Sequence, residues 1–248
     1  MRKTRTITAL AMLAGLAAGC GPTLSTQTRL EVARPPGTSD SISKDGLVID
    51  SPLMKEMPSQ FVVRATACGA DGNPLKDPMT SEVVTKDVTV LPKGFEFYQL
   101  KIRNDTDHVI RLQGAVIRLF DPGENQIEPQ GKDDIVAATM RDFADLGVCA
   151  GEMAKVQGAL ATLKLIGQNT ELLPGTTTSG FLFFQPPDSA VPGTWKLSLY
   201  EIPVKVDASG NVVGKTRFDF PNVRKKFQDT YSQSLAGPKT LVSTKEVQ

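Results

Sequence analysis

The sequence predicts a mainly β protein: an antiparallel β-sandwich with one α-helical hairpin inserted between its strands. Three observations carry this. Short runs in which apolar and polar residues alternate recur between residues 46 and 227, about eight or nine of them, separated by Pro, Gly, Asn and Asp. The spacing switches to threes and fours in one stretch, about 133–167. Beyond the first twenty residues, no apolar run approaches the ~18–20 residues that a membrane-crossing helix needs.

The stretch from Phe95 to Asp121 organises the rest and reads as two consecutive strands sharing a short polar turn. Tyr98, Leu100 and Ile102 alternate with Gln99, Lys101 and Arg103, which puts the first three on a buried face. Asn104-Asp105-Thr106-Asp107 is the turn, expected to be a structural corner. After it Ile110 and Leu112 are in phase, but Ala115, Ile117 and Leu119 are in the other phase. One extra residue near Gly114 produces that change, so a β-bulge or a sharp bend is expected there.

Upstream, Gly46 to Asp50, Phe61 to Ala67 and Val88 to Leu91 read as strands, with Asp71-Gly72-Asn73-Pro74 as a turn. Downstream, Asp121 to Asn125 is a turn leading to a short strand at Ile127. Asp133 or Asp134 then caps a helix carrying Val136, Met140 and Phe143, stopped by Gly147. A second helix carries Met153, Val156, Leu160 and Leu163 and ends by Gly167. This hairpin is either a lid over the sandwich or an arm that binds a partner. Phe181-Leu182-Phe183-Phe184 reads as a strand buried on both faces. Trp195, Leu197 and Leu199 alternate in the next strand, and a hairpin loop at Asp207 to Asn211 leads back through Thr216, Phe218 and Phe220. From Gln228 to Gln248 the chain is polar and expected to be a frayed tail.

The start of the chain bears on location. Arg2, Lys3 and Arg5 precede an apolar segment from Ile7 to Leu16, and small residues follow. Residues 1–19 therefore read as a secretory signal peptide. Leu16-Ala17-Ala18-Gly19-Cys20 resembles a bacterial lipobox, although Ala17, three places before the cysteine, stands where the commonest form has Leu. That resemblance implies acylation of Cys20, with several acyl chains at about 0.8 kcal/mol per buried methylene holding the protein to the membrane. Gly21, in place of Asp, favours the outer membrane. Residues 20–45, rich in Thr, Ser, Pro and Gly, are expected to be a lipidated flexible tether. Cleavage removes three of the 28 Lys and Arg and none of the 27 Asp and Glu, leaving a slightly acidic chain that argues against binding nucleic acid.

Cys68 and Cys149 remain as a pair. They are either bridged, closing a loop of about 80 residues worth roughly 4 kcal/mol by chain entropy, or two small buried hydrophobes. The strand ending in Asn104, the Leu119-Phe120-Asp121-Pro122-Gly123 turn, and Pro174, Gly175, Gly180 and Phe181 before an inner strand together resemble the immunoglobulin-like domains of bacterial surface lipoproteins, including telokin-like modules. The helical hairpin departs from that module. The resemblance implies an adhesive, scaffolding or accessory role.

Candidate chemistry is sparse. His108 is the single histidine and sits beside a turn with Asp105 and Asp107. Met54 and Met57 have a spacing that suits copper(I), yet read more simply as loop or core residues. Asp121, Glu124 and Glu128 lack the ligand order of a calcium loop. Asn104-Asp105-Thr106 matches a glycosylation sequon by chance. No phosphate-cradling glycine loop or nucleophile elbow is present. The expectation is a lipid-anchored, non-catalytic envelope module for a protein or cell-wall partner, with no cofactor and no metal. The alternatives are an enzyme whose site is assembled from distant residues, or a carrier of a small ligand or metal.

Overall fold

The computed structural model describes residues 23–54, 58–92, 94–207, 209, 211–233 and 238–247. The signal peptide, Cys20 and Met57 lie outside the described residues. The strands are β1 (Thr23–Ala33), β2 (Ser41–Lys44), β3 (Leu47–Asp50), β4 (Val62–Thr66), β5 (Thr85–Thr89), β6 (Glu96–Asn104), β7 (Ile110–Arg111), β8 (Val116–Phe120) and β9 (Gln126–Ile127). The helices α1 (Lys132–Arg141) and α2 (Met153–Ala161) follow, then β10 (Glu171–Leu172), β11 (Thr177–Phe184), β12 (Gly193–Val206), β13 (Val212–Gln233) and β14 (Thr240–Val247). The protein is mainly β, with antiparallel sheets and two short helices.

Two compact units result. The larger comprises Leu30–Lys226; the smaller comprises the described residues up to Arg29 together with Phe227–Val247. In the larger unit, β12 pairs antiparallel with both β13 and β8, and β8 pairs with β9, in the order β1-β13-β12-β8-β9. A second sheet has the order β11-β6-β3-β2. Its alternation fills two cores, because successive side chains point to opposite faces. Tyr98, Leu100, Ile102, Leu182 and Phe184 pack with Trp195, Leu197, Leu199, Phe218 and Phe220 of the first sheet. Phe181 and Phe183 point the other way and pack with Phe61, Ile135, Val156 and Leu160 beneath the helices and the β4–β5 pair. Phe61 meets Phe181 edge to face, ring centroids 5.0 Å apart, a contact worth about 0.5–1.5 kcal/mol beyond area burial. β11 is thus buried on both faces, as its run of four apolar residues predicts.

The helices lie over the second core with Ile135, Ala138 and Thr139 of α1 and Val156 and Leu160 of α2 buried. Asp134 is not the cap of α1. It sits at the third helical position, and its carboxylate accepts the Gly131 N–H at 3.2 Å. After α2 the chain runs along β11: Phe181 N–H donates to the Lys164 carbonyl at 2.9 Å, and Ile166 N–H donates to the Phe181 carbonyl at 3.0 Å. Gly180 allows this approach, since a Cβ there would stand 2.9 Å from the Lys164 oxygen. Cys68 and Cys149 are joined by a disulfide with Cα atoms 4.9 Å apart, tying the end of β4 to the start of the second helical segment.

The two strands read from Phe95 to Asp121 lie in different sheets, β6 in the second and β8 in the first, while β7 pairs with β10. The phase change is a sharp bend at Gly114, φ +83, closed by the Ala115 N–H donating to the Leu112 carbonyl at 2.9 Å. The expected tether contains β1 and β2. The expected C-terminal tail contains the end of β13 and all of β14. In the smaller unit Asp229 is 3% exposed, accepts from Arg29 Nε and Thr244 Oγ1 at 2.6 Å each, and Arg29 lies 4.8 Å from the Phe227 ring centroid. Backbone ladders and polar pairs hold this ribbon, so its sequence shows little apolar alternation.

Candidate functional site: an apolar groove over an enclosed ion pair

The inner face of β13 is apolar at Phe218 and Phe220 and then turns polar at Asn222 and Arg224, all of one parity. The inner face of β6 ends likewise, with Glu96 sharing the parity of Tyr98 and Leu100. At that end of the first core the Arg224 guanidinium, 4% exposed, meets the Glu96 carboxylate in a two-pronged ion pair. Arg224 Nη1 also donates to the Ser189 carbonyl at 2.8 Å. Nη2 donates to Tyr98 Oη and Nε to Asn222 Oδ1, both at 3.4 Å. Beneath it the Trp195 ring centroid lies 3.7 Å from the guanidinium carbon, a cation–π contact whose value rises with desolvation. Trp195 is itself fixed by its Nε1–H donating to the Val191 carbonyl at 3.0 Å.

Above this cluster opens a groove of about 460 Å³, within the ~300–1,000 Å³ range of small-molecule sites. Leu30 and Val32 of β1 and Pro52, Leu53 and Met54 after β3 form apolar walls, and Phe95 and Phe97, packed against the second core, reach its edge. Burial raises the Tyr98 phenol above its ordinary range, and the Glu96 charge acts in the same direction. The phenol therefore stays protonated, a hydrogen-bond donor at the floor.

The outer face of the first sheet carries a second, more polar hollow of about 550 Å³. Lys196 Nζ lies 4.8 Å from the Phe120 ring centroid, and the Arg217 guanidinium 5.5 Å from that of Tyr200. These cations sit over the rings and are drawn into the sheet surface.

The residues singled out from sequence are placed as follows. Cys68 and Cys149 are bonded to each other. His108 Nδ1 lies 3.0 Å from Asp107 Oδ1 at the corner after β6. The Asp121 carboxylate accepts from Gly123 N–H, Asn125 N–H and the Asn125 amide, and the last of these chiefly lowers its pKa. It is a turn-former whose oxygens are already engaged. Asn104 is fully buried with its amide donating to two carbonyls, so its sequon is closed to modification. Met54 lines the groove. Among the described residues no group of three or more His, Cys, Asp and Glu side chains converges on a point. Sequence reading missed Glu96 and Arg224. Arg224 heads the run Arg224-Lys225-Lys226, which reads as solvated, but its parity with Phe218 and Phe220 marks it as inward.

Comparison with known proteins returns no matching family model, no matching curated protein and no matching solved structure.

Proposed function

We propose that this protein is a lipid-anchored cell-envelope module with an immunoglobulin-like β-sandwich, non-catalytic, that binds a protein or cell-wall partner. The observation that carries the reading is Leu16-Ala17-Ala18-Gly19-Cys20 behind a basic and then apolar segment, which supplies a cleavage site and an acylation thiol together. Acyl chains on Cys20 hold the chain at the membrane, with the outer membrane favoured by Gly21. Two antiparallel sheets facing one another across the first core suit the sandwich assignment, and the helices cover the far face of the second sheet. The disulfide suits an oxidising compartment. Replacing Cys20 with Ser is expected to move the protein from the membrane fraction to the soluble fraction and to abolish palmitate labelling. Retention in the membrane with unchanged mobility would overturn the anchor.

A further inference from the structure

The groove over the Glu96–Arg224 pair is a built cavity whose floor and walls specify different things. Its walls are hydrocarbon: Leu30 and Val32, 37% and 46% exposed, line it together with Pro52, Leu53 and Met54. Such a surface gains from covering an alkyl chain. The floor decides what charge that chain can carry. Arg224 has five N–H donors, and all five are engaged, two by Glu96 and one each by Ser189 O, Tyr98 Oη and Asn222 Oδ1. None is left for an anion. Glu96 is compensated by Arg224, so it offers no net charge to a cation. An anionic head finds only the Tyr98 hydroxyl, beside the Glu96 carboxylate, and a quaternary ammonium has no proton to donate, so a charged head is desolvated with little in return. An uncharged head finds spare capacity. Glu96 has lone pairs beyond the two used by Arg224, and the Tyr98 hydroxyl receives Asn222 Nδ2 and Arg224 Nη2, each at 3.4 Å, without donating its own proton in those contacts.

We propose that this groove binds a single-chain amphiphile with an uncharged hydroxyl or amide head, its alkyl chain between Val32 and Met54 and its head on Tyr98 and Glu96. The inference goes beyond the envelope reading and does not rest on the lipid anchor, so either can fail alone.

Trp195, the only tryptophan, reports on the site through its contact with Arg224. Full-length chain carrying Cys20→Ser is titrated below the critical micelle concentration with monodecanoylglycerol, with decanoate and with decyltrimethylammonium, and Trp195 emission is followed. The expected result is a saturable change with monodecanoylglycerol and affinities at least about tenfold weaker for the two charged ligands. Val32→Asp, at a half-exposed position whose change leaves the core intact, is expected to weaken monodecanoylglycerol at least about tenfold. Tyr98→Phe, which keeps the ring and removes the donor, is expected to narrow the preference for the uncharged head. No saturable response to monodecanoylglycerol, equal binding of all three heads, or undiminished binding by Val32→Asp would each overturn the proposal.

Discussion

Strand β6 carries a polar side chain at each end of its inner face, Asn104 at one end and Glu96 at the other, and the two are satisfied in opposite ways. Asn104 is completed by its own neighbourhood. Its amide donates to the His108 and Leu172 carbonyls at 2.8 Å each, and its oxygen accepts the Thr106 N–H and hydroxyl. The result is a closed corner. Glu96 is completed by Arg224, 128 residues away and on the facing sheet, and the result is a joint between two layers with a groove left above it. A polar group satisfied by nearby backbone seals the end of a core. One satisfied by a long side chain across the core leaves room beside it.

The largest effect that tests this contrast is removal of Arg224. Arg224→Ala leaves the Glu96 carboxylate, whose side chain is 16% exposed, without its cation. Breaking an enclosed pair by deleting one partner costs about 3–5 kcal/mol, measured as a fall in the free energy of urea unfolding. Replacing both partners with apolar residues, Glu96→Leu with Arg224→Met, is expected to recover most of that loss, because the cost lies in the orphaned charge. If the single change is nearly silent, water fills the groove well enough to solvate Glu96, and the joint contributes little.

At the other end Asn104→Ala removes two donors from carbonyls and one acceptor from Thr106. The expected loss is smaller, about 1–3 kcal/mol, since every group involved is uncharged. Unfolding measured in the same urea series ranks the two ends directly. A loss at Asn104 equal to that at Arg224 would break the distinction between a local and a cross-sheet solution.

How far each end was legible from sequence follows the same distinction. The turn at Asn104 to Asp107, the inner face at Tyr98, Leu100 and Ile102, the two-sided burial of Phe181 to Phe184 and the bend at Gly114 all depend on residues close together, and period-two alternation displays them. The ion pair of Glu96 and Arg224 depends on the register of two sheets, which no local pattern encodes. The β1 segment was illegible for another reason. Thr23–Ala33 has scattered polar residues and reads as tether, yet it pairs with β13. What holds the ribbon in the smaller unit is backbone pairing plus the Arg29, Asp229 and Thr244 contacts, and a strand that buries little apolar surface leaves no alternation to find. The alternation of Phe95 to Asp121 showed two strands but not their partners, because a corner between sheets and a turn within a hairpin use the same residues.

Glu152 extends the comparison to a carboxylate satisfied from both sources at once, and it gives the smallest effect. Its Oε1 accepts the Thr66 N–H at 3.2 Å, and Lys155 Nζ stands 2.6 Å from Oε2. The Lys155 contact first, then the Thr66 hydroxyl and the Thr66 N–H, lower its pKa to about 2. A carboxylate whose folded pKa lies below its unfolded value stabilises the fold above the ordinary carboxylate pKa, and that contribution is lost as pH falls through the folded value. Glu152→Gln removes the contribution but keeps the side-chain length. The wild-type chain is therefore expected to unfold at higher urea than the variant at pH 7. The gap should narrow steadily between about pH 4.5 and pH 2, where the wild-type carboxylate takes up its proton. Because Lys155 is more than half exposed, added salt should shrink the gap at neutral pH without closing it, the residue being the uncharged share from Thr66. A gap independent of pH would mean that Glu152 acts by packing alone.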